Sequence, residues 1–420
     1  MRFFLFFACL TILAQTELII TDPKSTIPIG ITRFCENGAP SSTLSEVITR
    51  NLQISGYFKV FPADSLIQRD TRCGSPDKVD ARDWSALGIN YAVTASIGLS
   101  AGNVEANLFL IDINKGVVLG KQYRAPQTLM RKVAHKFSNE ILKFFTGRSG
   151  PFGSQIVYST KIGRFKELAI IDMDGSNYRL LTNTKGLASS PSYGDQRRVV
   201  FADFRKGVPD VFIMHLDSLK IDQVTRTKIQ EFSPIFWGQD RLLFAIATGR
   251  GGTDIVEATL SGNILRTIIS GVGEINISPA IDYVNQFIYF TSDAAGSPQV
   301  YRVPFTGGLP SRVSFTGSNY CTSPAITKEG DKLAFVCRAE GGFNIFVSKP
   351  DGSEVRQITS YGRNEDPSWS PDGRYLVFST TAARRVASLA IVREDGRGFS
   401  VISNPQGGGD FEPSWGPLEE

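Results

Sequence analysis

The chain reads as a small N-terminal α/β domain followed by a six-bladed β-propeller, and three observations predict it. An X-Pro dipeptide recurs at Pro191, Pro234, Pro279, Pro324, Pro367 and Pro413, at intervals of 43 to 46 residues. Ten or 11 residues after five of these prolines comes an apolar pair ending in Phe: Val200-Phe201, Leu243-Phe244, Tyr289-Phe290, Ala334-Phe335 and Val377-Phe378. A repeat of this length made of strands is the mark of a propeller blade. The third observation is how the repeat ends. Ile156–Ser159, Leu168–Asp172 and Arg179–Thr182 are three strands with no Pro strand before them, whereas Glu412-Pro413-Ser414-Trp415 is a Pro strand with nothing after it. An unpaired inner edge invites association, so the two ends are expected to pair and close a sixth blade.

The first residues read as an export signal, 1–16. Arg2 is the positive start and Phe3–Ala14 the apolar run, too short to span a bilayer. Cleavage is placed near Glu17. Cys9 lies in a poor lipobox, so lipidation is not expected. Residues 17–147 then have mixed texture. Ile29–Phe34 is a predicted strand. Ser41-Ser42-Thr43 offers caps for a helix carrying Leu44, Val47, Ile48 and Leu52, which Gly56 stops. Tyr57–Phe61 is a strand and Asp83–Gly88 a short helix ending at its glycine. Tyr91–Ile97, Val104–Asp112 and Val117–Tyr123 form a strand set. A helix over Gln127–Phe145 would place Met130, Val133, Phe137, Ile141 and Phe144 on one face. Residues 148–154, with Pro151, are the expected linker.

From Gln155 to the end, 155–420, only strands are predicted. Behind each Pro strand and its Phe-ending partner comes a third: Val211–Met214, Ile255–Ala258, Val300–Val303, Ile345–Ser348 and Leu389–Val392. Short fourth strands such as Arg312-Val313-Ser314 follow. Asp174-Gly175, Asp351-Gly352, Asp372-Gly373 and Asp395-Gly396 supply hairpin chemistry between them.

Composition narrows the function. A net charge of +4 over 420 residues makes no case for nucleic acid. The two histidines, His135 and His215, are too few for a usual zinc site, and no Cys-x-x-Cys exists. The Asp-Gly pairs lack the alternating acids of a calcium loop, and no glycine loop suits a phosphate. No cofactor is expected. Gly98-Leu99-Ser100-Ala101-Gly102 matches a nucleophile elbow, but it lies between two strands with no downstream acid–histidine pair. Trp237, Trp369 and Trp415 are expected to pack between blades. Four cysteines follow the signal: Cys35, Cys73, Cys321 and Cys337. Buried thiols and disulfides are both open, and spacing alone does not judge Cys35 with Cys73. Cys321 and Cys337 flank a tight hairpin at Glu329-Gly330 at almost equal distances, which predicts a bridge between them.

The whole of residues 17–417 resembles the TolB family of Tol-Pal system proteins. The stretch Asp366-Pro367-Ser368-Trp369-Ser370-Pro371-Asp372-Gly373, with Leu376-Val377-Phe378 after it, is similar to the family's blade motif. Thr291–Tyr301, Ile27-Pro28-Ile29-Gly30-Ile31 and Asp83–Ile89 resemble it also. Elsewhere the second Pro-Asp-Gly is degraded, as in Gly238-Gln239. The resemblance implies a periplasmic, monomeric adaptor without catalytic activity. It would bind the peptidoglycan-associated lipoprotein Pal in the propeller mouth and the C-terminal domain of TolA through its N-terminal segment, supporting outer-membrane integrity and cell division. The matching segment is Glu17-Leu18-Ile19-Ile20-Thr21-Asp22, suited to strand addition or to an ordinary first strand of its own domain. Inner strands converge on the axis, so the mouth surface is expected to include Gln230, Phe232, Ser233, Asn276, Ile277, Tyr320, Thr322, Asn364 and Asp366. A glycan- or peptide-binding propeller, or a propeller hydrolase or lyase, is the alternative; turnover of a muropeptide panel would support the enzyme.

Overall fold

The computed structural model describes residues 26–37, 42–62, 81–249 and 251–418. The expected signal, Glu17–Asp22 and Cys73 lie outside them. The N-terminal domain holds β1 (Ile27–Ile31), β2 (Cys35–Asn37), α1 (Ser42–Ile54), β3 (Phe58–Phe61), α2 (Ala81–Ala86), β4 (Tyr91–Ser100), β5 (Asn103–Asp112), β6 (Gly116–Ala125) and α3 (Met130–Thr146). Its sheet runs β3-β1-β4-β5-β6, with β2 beside β4. The β1 pairings are parallel and the β4–β5–β6 meander antiparallel. The strand expected over Ile29–Phe34 starts earlier, at Ile27, and stops at Ile31, and β2 takes up the sheet again only from Cys35. Gly98–Gly102 sits in the β4–β5 hairpin, where no helix follows. Gly30 has a packing reason: a Cβ there would lie 1.9 Å from the Trp84 ring of α2, so only glycine lets the indole rest on β1.

Helices α1 and α3 pack on each other and bury Leu44, Val47, Ile48 and Leu52 with Val133, Phe137 and Ile141. One residue differs from expectation. Phe144 is 37% exposed whereas Phe145 is 3% exposed. Phe137, Ile141 and Phe145 are spaced by four and share a face, and Phe145 meets Phe58 and Tyr91 edge-on.

The propeller has six four-stranded antiparallel sheets. We number blades by their inner strands: Ala188–Tyr193 (blade 1), Glu231–Trp237 (2), Asn276–Asp282 (3), Cys321–Ile326 (4), Asn364–Trp369 (5) and Asp410–Trp415 (6). Blade 6 combines that last strand with β7 (Gln155–Ile162), β8 (Phe165–Asp172) and β9 (Arg179–Leu180), so the ring closes by pairing its two ends. Trp369 and Trp415 are buried, and the Trp369 indole donates to the Ala325 carbonyl of blade 4. Trp237 stacks obliquely on Phe305 of blade 3. Residues 148–154 join the domains without hanging free. Phe152 and Ser154 are buried, and Asn139 of α3 grips both the N–H and the carbonyl of Phe152. No helix among the described residues is long and apolar enough to cross a membrane.

Candidate docking face of the propeller

In an antiparallel four-stranded blade, the loop entering the inner strand and the loop joining strands two and three leave from the same end. Their backbones meet there. Cys321 donates to Pro298, Arg338 to Tyr320, Ala247 to Gln230 and Thr381 to Arg363. The N-terminal domain occupies the opposite end. Tyr375 donates to the Ser55 carbonyl at 3.2 Å, Arg50 to those of Asp174 and Val401, and Arg393 to that of Gly56. The first end is therefore the open mouth.

Every inner strand carries the same irregularity. Ser190, Ser233, Ser278, Ser323, Asp366 and Glu412, each just before its proline, have φ between 48° and 54°. Left-handed backbone costs an L residue about 1 kcal/mol or more, and the ladder skips register at each of these sites. The bulge falls where it leaves no donor unpaired, because proline has no N–H. It also turns six backbones toward the axis, where neighbouring blades touch. Ser323 donates its hydroxyl to Asp366 at 3.1 Å, and the Ser190 N–H donates to Glu412 at 3.1 Å. The Asp366 carboxyl is pushed up to about 7, first by burial and then by Glu412 and Glu365, while the Ser323 bond and Lys166 act the other way.

The expected mouth residues divide into two groups. Gln230 is exposed, and Phe232, Ser233, Ile277, Tyr320, Thr322 and Asp366 are half-buried along the mouth and axis. Asn276 and Asn364 are fully buried, which removes them from the accessible surface. They occupy the first position of the inner strand, whose side chain turns between strands. Asn276 donates to the Thr253 carbonyl, while Asn364 donates to the Tyr361 carbonyl and accepts from Thr380. Both hold mouth loops in place. Glu231 and Asp410 do likewise from the same position, through Thr225 and Ser403. In blade 4 the position is Cys321, directly opposite Cys337, and a disulfide joins them with Cα atoms 4.1 Å apart.

Sequence reasoning missed the most exposed part of the face. Leu187, Ile229, Ile275 and Tyr361 protrude from the loops entering four inner strands, Tyr361 being 75% exposed. With Tyr320 they stand four to six residues before the repeat prolines, a spacing that could have revealed them. Arg338 lies over the rings of Tyr320 and Phe343, and Arg363 over Phe343. Apolar projections interleaved with stacked guanidinium groups suit a protein partner. Among the described residues no group of His, Cys, Asp or Glu could hold a metal ion.

The fold and this face define a propeller protein that works by contact. A family model described as the TolB amino-terminal domain matches residues 18–119, and one described as the TolB beta propeller domain matches residues 142–419. The chain belongs to the TolB family of Tol-Pal system proteins, which is not a family of enzymes. The Tol-Pal system protein TolB of Bordetella pertussis is 30% identical over 419 residues, covering 96% of this chain and 92% of that one. Its counterpart from Gluconobacter oxydans is 29% identical over 403 residues, 93% and 86% of the two chains. The crystal structure of TolB from Acinetobacter baumannii superposes with a TM-score of 0.81 at 24% identity, covering 94% of this chain and 98% of that one, a likeness of fold.

Proposed function

We propose that this protein is a periplasmic adaptor of the Tol-Pal system, supporting outer-membrane integrity and constriction during cell division. Its propeller mouth receives the peptidoglycan-associated lipoprotein Pal, and Glu17–Asp22 engages the C-terminal domain of TolA by strand addition. The observation that carries the reading is the mouth itself: a ring of apolar loop residues that no other described residue covers, at the end of the propeller remote from the N-terminal domain. A partner seated there buries what water now touches.

The test is binding of the Pal domain from the same organism to exported protein carrying Tyr361→Ala or Thr322→Arg. Tyr361 is too exposed to support the core, so affinity should fall about tenfold or more with the melting temperature unchanged. Equal loss of binding and stability would return these residues to the core. A second variant lacking Glu17–Asp22 should lose TolA binding and keep Pal binding. Normal TolA binding would refute the strand-addition role. Recovery of a soluble glycan in place of Pal would point to the small-ligand alternative.

A further inference from the structure

The overall charge is small, yet the fold sorts it. Four loops of the mouth on blades 6, 1 and 2 are those at 161–166, 182–187, 204–209 and 225–230. They contain no Asp or Glu. They carry Lys161, Arg164, Lys185, Lys206, Arg226 and Lys228, all exposed. Neighbouring backbones tie these loops together: Lys166 donates to the Gly186 carbonyl and Glu231 to that of Pro209. The six cations therefore form one arc of about half the rim. Ile162, Leu187 and Ile229 stand exposed among them. The rest of the rim is mixed. Blades 3 to 5 place Glu274, Asp293, Glu340 and Glu365 there together with Arg338, Arg363, Arg384 and Arg385.

Charges of one sign around a concavity that excludes solvent focus their field into it. Ammonium and guanidinium groups without a carboxylate partner in their own loops are not neutralised from within. We propose that this arc is the steering half of the docking face, and that it receives the acidic flank of a protein partner, one rich in Asp and Glu with interspersed aliphatic side chains. This rests on the reading that the mouth seats a protein, and it adds what that protein must present and where. The arc sets the rate of encounter and the rotational register, whereas the aromatic half around Tyr320 and Phe343 holds the partner once seated.

The test compares the full exported chain with a variant carrying Lys161→Gln, Arg164→Gln, Lys185→Gln and Lys228→Gln. All four side chains are exposed, so melting temperatures should agree. Stopped-flow association with the Pal domain would be followed at about 20 mM and about 300 mM NaCl, where screening lengths differ severalfold. The wild type should associate about tenfold or more faster at low salt, the variant slowly at both, and dissociation should be the same for the two. Equal association rates at low salt overturn the proposal. If the Pal domain fails to bind the wild type, the partner assignment fails instead. The arc is then read with a Glu- and Leu-containing synthetic peptide, whose binding should vanish in the variant. No difference with that peptide also overturns it. Variant-sensitive sedimentation with phosphatidylglycerol vesicles, without peptide binding, would give the surface to lipid and overturn the protein-partner proposal.

Discussion

The two ends of the propeller are each built from two connections per blade, but their cations are engaged differently. At the end facing the N-terminal domain the guanidinium groups are occupied. Arg374 donates to Thr146, to the carbonyls of Arg148 and Ser149, and to Asp372. Arg393 lies 3.7 Å from the Tyr57 ring centre and also bonds Gly56 and Asp395. Arg131 of α3 reaches Asp174 at 2.8 Å. The backbones come so near that a Cβ on Gly398 would meet the Gly56 Cα at 2.9 Å. At the mouth no second domain brings carbonyls among the described residues, and Lys161, Arg164, Lys185, Lys206, Arg226 and Lys228 of blades 6, 1 and 2 stay exposed to water. The difference teaches that a repeated scaffold assigns one end to cohesion and the other to encounter. What decides is which end meets another part of the chain.

The largest way to break this contrast is Arg374→Ala. It strands Asp372 and two carbonyls in a region where the arginine itself is only 5% exposed. Removing one member of a buried charged pair costs about 3–5 kcal/mol. Chemical denaturation should show that loss, with Pal binding at the remaining folded fraction unchanged. A loss under 1 kcal/mol would mean that the interdomain face is not cohesive.

Next comes the covalent staple. Cys321→Ser with Cys337→Ser opens a loop of separation 16, so about 2–3 kcal/mol should be lost in guanidinium unfolding. Because Tyr320 and Thr322 flank Cys321, Pal affinity should also weaken somewhat. Free thiols at both positions in protein purified from the periplasm would remove the basis of this prediction.

The smallest effects are in pH dependence and run in opposite directions at the two ends. Asp366 has a folded pKa of about 7, above its unfolded value, so it favours folding in acid and opposes it increasingly as pH rises toward and past 7. Asp366→Asn should therefore raise the melting temperature at pH 8 and not at pH 4. His135, buried in the N-terminal core with its ring bonded to the Asn51 amide, is held below its usual value of 6.5, chiefly by burial. Its neutral form supports the fold above pH 6.5, and that support is lost as pH falls through the lowered value. His135→Gln should flatten the acid side of the stability profile. A variant that leaves that limb unchanged would assign the acid sensitivity elsewhere.

The ring was legible because proline is. A residue without an N–H is excluded from central ladder positions, so six evenly spaced prolines had to mark an exposed edge, and the inner edge of a blade is the repeated one. The helix of the N-terminal domain was legible in period but not in phase at its end, where adjacent Phe144 and Phe145 compete and only the packing of Phe58 and Tyr91 decides. Asn276 and Asn364 were misassigned because alternation along a strand tells which residues share a face without telling which face is wet. The exposed apolar loop residues and the cationic arc were hidden for another reason. Lys161 and Lys228 are far apart in sequence and share one arc only once the blades between them have folded side by side.

That closure gives synthesis an order. Asp410–Trp415 is made after the strands of the other five blades, yet its partner β7 was made near the start of the repeats. Five blades can collapse as they emerge, but the ring stays an open horseshoe until Asp410–Trp415 arrives. A chain that stops before Asp410 keeps five blades and exposes two raw lips, Gln155–Ile162 on one side and blade 5 on the other. Such products should adhere to one another through those unpaired edges, so closure of the ring also guards its solubility.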